Sequence, residues 1–270
     1  MKAAKKLLSM VLSALVGLSV YCQSHAQQGV HDHNRNADTE CHDQWVKPGW
    51  VTDYDVEGVA TTVQGETLYI ERLNFRFTRD GVDRGGRLAV EYRLPDGEVL
   101  ANKTVHYHCR MTAPNFHLQD VQNDRHEGVI WEGNNLVSYQ ADTSERLSPP
   151  KGNLIIDAGF DHFVKENWQV LMDGESVKVH YLFPRDNVFI KLKVEKSPAP
   201  DPLSTQETEE NPGITFFKIS ANNLLFRLFS SPIFVCYDDA QSLKYFIGPS
   251  NLPMMKEEKQ VIIRYKERPY

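Results

Sequence analysis

From Trp45 onward the chain is written chiefly in period two, the pattern of strands with one apolar and one wet face. Leu88, Val90, Tyr92 and Leu94 alternate with Arg87, Ala89, Glu91 and Arg93. Pro95-Asp96-Gly97 follows with the composition of a tight turn, and a return strand over about 98–108 places Val99, Ala101, Val105 and Tyr107 on one face. Val177, Val179, Tyr181 and Phe183 alternate in a later strand, and Val188, Ile190, Leu192 and Val194 in the next, with Pro184-Arg185-Asp186-Asn187 between them. Further strands are predicted at 214–219, 232–237, 242–247 and 260–266. Around 68–77 the phase slips: Leu68 and Ile70 give way to Leu73, Phe75 and Phe77, which predicts a bulge near Glu71–Arg72.

One segment obeys a different period. Between Asp157 and Gly174 the residues Phe160, Phe163, Val164, Trp168, Leu171 and Met172 share one broad helical face, with Asp157 as cap and Gly174 as stop. A second short helix is predicted over 222–229, and exposed loops over 140–152 and 197–213, the latter acidic, rich in proline and expected to be disordered. The expected fold is mainly β (α+β): a curved antiparallel sheet or incomplete β-barrel with one long amphipathic helix packed on its concave face. Phe217, Phe234, Phe246 and Ile262 put large apolar groups on a second face of the late strands. The helix, or an apolar ligand, must cover them.

Composition adds boundaries. The 270 residues are 41% hydrophobic and 24% charged, with net charge −6, as in an ordinary globular protein. An acidic balance argues against nucleic acid as a partner. Residues 1–26 read as a signal peptide: Lys2, Lys5 and Lys6, an apolar run from Leu7 to about Val20, then Ser24-His25-Ala26 at a cleavage position. Export to the periplasm follows; a lipoprotein at Cys22 or an uncleaved anchor is the lesser alternative, since Tyr21 is large for lipoprotein processing. Cleavage removes three lysines and no acidic residue, taking the charge from −6 to −9. Residues 27–44 read as a flexible polar arm and 45–270 as a single β-rich domain. In an oxidising compartment Cys41–Cys109 is the preferred disulfide, with Cys236 left buried in an apolar strand.

Candidate chemistry is sparse. His106 and His108 flank Tyr107 on one strand face, a spacing metal sites use, with His117, His126 or a carboxylate as third ligand. A plain polar strand face, continued by Asn102 and Thr104, is the simpler reading. No Gly-x-Ser-x-Gly and no phosphate-binding glycine loop occurs, so neither catalytic residues nor a cofactor are assigned. Asp157 and Asp161 form a paired acid or, more simply, cap a helix. Lys178, His180, Lys191 and Lys193 form a basic stripe on one hairpin, a solvated face or a contact for anionic lipid headgroups.

The segments Leu154–Val164, Trp168, Val179–Pro184, Tyr237-Asp238 and Gly248–Leu252, with Tyr92–Gly97, resemble a family of uncharacterised proteobacterial envelope proteins. The resemblance covers most of 67–266 and implies a periplasmic location but no activity. At the level of architecture the chain is similar to bacterial lipoprotein carriers, which hold acyl chains between sheet and helix. The leading expectation is therefore a non-enzymatic periplasmic protein holding a lipid or other apolar ligand. Phe160, Phe163, Val164 and Trp168 form one wall, and Phe217, Phe234 and Phe246 the other. The alternatives are a cell-envelope interaction or assembly module with a protein partner, and a metal-dependent enzyme using His106 and His108.

Overall fold

The computed structural model describes residues 53–78, 85–108, 110–201, 203, 213–221, 232–250, 252 and 260–268. The expected leader, the arm, Cys41, Cys109, the predicted helix over 222–229 and most of the 197–213 loop lie outside them. The first strands are β1 (Tyr54–Thr61), β2 (Thr67–Thr78), β3 (Gly85–Arg93), β4 (Val99–His106) and β5 (Asn115–Asp120). β6 (Arg125–Glu132), β7 (Asn135–Gln140), β8 (Thr143–Leu147) and β9 (Leu154–Ile155) follow. Two helices come next, α1 (Gly159–Glu166) and α2 (Trp168–Met172). The chain then runs through β10 (Ser176–Phe183), β11 (Val188–Ser197), β12 (Thr215–Ala221), β13 (Ile233–Tyr237), β14 (Leu243–Gly248) and β15 (Val261–Glu267).

These strands form one sheet in the order 8-7-6-5-4-3-2-1-15-14-13-12-11-10-9. Neighbours are antiparallel except β9 and β10. The connectivity forces the sheet to curl. Its two edges, β8 and β9, are joined by residues 148–153 alone, a stretch that spans at most about 25 Å. A flat sheet of this width would separate them by about 67 Å.

Side chains show that the ends overlap. Leu182 and Phe189 face each other on the side of β10–β11 turned away from the helices, yet they join the core of Leu88, Val105, Phe116, Val129 and Leu136. Three bonds fasten this seam. Ser138 Oγ donates to Pro184 O (3.1 Å), Arg185 Nε to Glu127 Oε2 (3.2 Å) and Asn187 Nδ2 to Glu145 Oε2 (2.7 Å). Ser138 lies in register with Val129 and Phe116, so the inner face of β6–β8 covers the β10–β11 turn.

Four expectations are corrected. The long helix is two short ones. Asn167 leaves helical geometry (φ −102°, ψ 12°): its N–H is shared between Phe163 O and Val164 O at 3.2 Å each, and its Nδ2 adds a bond to Phe163 O at 2.8 Å that closes the turn on its own side chain. Asp157 does not cap α1: it takes φ +44°, and the cap position is Ala158. Gly174 does end the segment at φ +86°, with Glu175 N–H returning to Val170 O. The bulge falls at Leu68, not Glu71–Arg72, because Ala60 pairs with Tyr69 and Thr61 with Thr67, while 69–75 pair without interruption. The stretch 140–152, expected as a loop, contains β8.

Candidate functional site

The inward registers of β15, β1, β2 and β3 align Tyr265, Gly58, Glu71 and Tyr92 in one row. Glu71 is 2% exposed. A Cβ at position 58 would collide with the Tyr265 ring at 2.6 Å, so glycine there lets the ring lie across β1. Its hydroxyl then donates to Glu71 Oε2 at 3.0 Å. One register along, Lys103 stands opposite Val90 and Leu118 and is 6% exposed. Its Nζ lies 3.0 and 3.2 Å from the two oxygens of Asp157 and 5.7 Å from the centre of the Tyr92 ring. The left-handed turn at Asp157, entered just after β9, aims the carboxylate at β4.

Electrostatics holds these groups in fixed charge states. Burial opposes the ammonium of Lys103, but the Asp157 carboxylate and Tyr92 outweigh it and raise its pKa well above the ordinary value. Burial raises the pKa of Tyr69, Tyr92, Tyr181 and Tyr265, with Glu71 adding to the shift of Tyr69 and Tyr265 and Asp157 to that of Tyr181. Near neutral pH the lysine stays charged and the phenols stay protonated. Neither is then a nucleophile or a base. The pair ties the turn before α1 to the middle of β4, and removing one member alone would cost about 3–5 kcal/mol by stranding the other.

The expected ligand walls are largely in contact with each other. Phe163, Val164 and Phe217 are buried in one cluster with Leu171, Val179, Val194, Val235 and Tyr237, and Phe160, Trp168 and Phe246 pack at its margin. Trp168 meets Phe217 edge-on at 5.2 Å and Tyr237 at 5.8 Å. Phe234 lies on the other side of the sheet, in register with Lys218 and Ile247, and packs with Phe216, Cys236 and Ile262. Asp157 and Asp161 do not pair as acids. Asp161 Oδ2 accepts from Lys165 at 2.8 Å. The Asp161 carboxylate faces the buried Tyr237 hydroxyl, and burial first, then this carboxylate, raises the Tyr237 pKa well above its ordinary value.

His106 ends β4 and His108 takes φ +37°, so the strand pattern does not carry through both; their rings stack at 5.9 Å. Among the described residues no three His, Cys, Asp or Glu side chains converge to hold a metal ion. His117 bonds through Nδ1 to the Tyr139 hydroxyl (2.9 Å) and lies 6.0 Å from His126. Cys236 is buried, and burial, with Asp238, pushes its thiol pKa up to about 12.

The basic stripe is assembled as its alternation predicts. Lys178 stands directly opposite Lys193, and His180 opposite Lys191. Lys218 of β12 extends the same face, opposite Glu195.

Sequence reasoning passed over Lys103, Glu71, Tyr69 and Tyr265. The signal for Lys103 was present: it is the inward position between Ala101 and Val105. Glu71 was hidden because its charge was read as a break in phase.

The class these observations define is a curled, mainly antiparallel β protein with a polar cluster locked inside it. No family model matches the chain and no curated protein matches it. Among solved structures it is similar to the beta-barrel-like protein of the domain of unknown function DUF1849 from Brucella abortus. The identity is 7%, the match covers 81% of this chain and 98% of that one, and the TM-score is 0.46.

Proposed function

We propose that the chain is exported to the cell envelope and works there as a non-enzymatic interaction module, through its surface rather than its interior. The observation that carries this reading is the geometry of the inner cluster. Lys103 Nζ is taken up by both oxygens of Asp157 and the Tyr265 hydroxyl by Glu71, so the buried polar groups serve as a clasp. Export rests on Lys2, Lys5 and Lys6, the apolar run and Ser24-His25-Ala26.

Native mass spectrometry of protein taken from its own compartment tests this. The expected mass is that of the chain from Gln27 with no retained molecule. One equivalent of lipid would overturn the reading in favour of an apolar ligand near Phe160, Trp168 and Phe246. One equivalent of metal would overturn it in favour of an enzyme built on His106 and His108.

A further inference from the structure

We propose that the outer face of β10, β11 and β12 docks on an anionic phospholipid surface, through Lys178, Lys191, Lys193 and Lys218 with His180. This rests on the surface-module reading and names the partner of that surface. The first argument is charge placement. This face sets Lys178 against Lys193 and, two residues along the same hairpin, Lys191 against His180, with Lys218 on the neighbouring strand. Only Lys193 is neutralised, by Glu195 at 2.5 Å; Lys178, Lys191 and Lys218 make no ion pair among the described residues. In a chain of net charge −6 this concentrates positive charge against the overall balance.

The second argument is geometry. Lys178 and Lys191 are exposed, on a pleated face of three adjacent strands. Strand spacing of about 4.8 Å and a two-residue step of about 6.7 Å spread the ammonium groups over a patch rather than converging them on a point. All four strong cations are lysines, compact point charges without the rigid fork by which arginine grips one fixed anion. A distributed lysine patch suits an array of laterally mobile phosphates, where each lysine contributes roughly fivefold to affinity.

Co-sedimentation of the full chain with vesicles decides this. Binding is expected to vesicles of phosphatidylcholine with about one third phosphatidylglycerol, not to phosphatidylcholine alone, and to be lost at high salt because screening shortens the reach of the patch. Lys178→Gln/Lys191→Gln/Lys218→Gln should weaken binding roughly a hundredfold while leaving the thermal unfolding midpoint in place. Equal affinity for both vesicles, or wild-type affinity in the triple variant, overturns the proposal. So does wild-type protein that ignores both vesicles yet binds polyglutamate, which would make the partner an acidic protein. The salt dependence of the wild-type chain stands as a test even if the variant fails to fold. Failure here leaves the surface-module reading intact, whereas a retained ligand in native mass spectrometry removes that reading whatever the vesicles show.

Discussion

His162 lies on α1 with 6% of its surface exposed and its ring edge-on to Tyr107 at 4.7 Å. Burial lowers its pKa from 6.5 to about 4; Asp161 pulls it up and Lys165 down, and burial wins. The unfolded chain takes up this proton near pH 6.5 and the folded chain only near pH 4. Between those values the unfolded state holds more protons, so this contribution is fully present above pH 6.5 and falls as pH is lowered. From pH 6.5 to pH 5 the loss is about 2 kcal/mol. The urea midpoint should fall accordingly in the wild type, and His162→Leu should flatten that part of the curve. An unchanged slope in the variant would show that His162 is not buried as a neutral ring. Lys103 and Glu71 make the complementary point at this scale. Each occupies an inward register position, and its meaning depends on a partner distant in sequence, Asp157 or Tyr265.

At the scale of elements, the entry to α1 is fixed by a contact rather than by propensity. Gly159 is the first residue of the helix, and a Cβ there would overlap the Thr112 carbonyl and crowd Pro114. That same carbonyl accepts from Ile156 N–H at 3.1 Å, so it cannot retreat without breaking the bond. Replacing glycine by alanine in a helix ordinarily stabilises by about 1 kcal/mol. Here Gly159→Ala is expected to destabilise by about 3 kcal/mol, read by chemical denaturation. A stabilised variant would mean that α1 does not rest on the 112–114 turn. Alternation is local, so β3, β4 and β10 lie within two residues of their predicted bounds and β11 runs three residues past Val194, whereas β1, β5, β6, β7 and β9 were not predicted. The helix was misjudged in length because six apolar positions on one face say nothing about the Asn167 side chain turning back to Phe163. β8 was missed because Thr143, Ser144, Glu145 and Arg146 are all exposed and carry no apolar period.

The whole molecule depends on a curl closed by side chains, since β8 and β9 do not pair. Ser138, Glu127 and Glu145 hold residues 184–187 at the seam. Weakening it with Ser138→Ala/Arg185→Met should free β6–β8 first, because an edge held by few contacts opens before the centre of a sheet. Hydrogen exchange should accelerate in 125–147 and remain unchanged in β1, β2 and β15. Acceleration spread evenly over the sheet would mean that the ends do not meet there.

The amino-acid sequence by itself determined β2–β4 and β10–β15, the turns of the two hairpins β3–β4 and β10–β11 and the basic stripe of the second, because each is written in neighbouring residues. Only the tertiary structure decided that β1 pairs with β15, that the edges overlap, and that Lys103 meets Asp157 inside. Those outcomes depend on register and curvature across the chain. Period two records which side of a strand faces inward, but not which strand or which distant charge lies across from it.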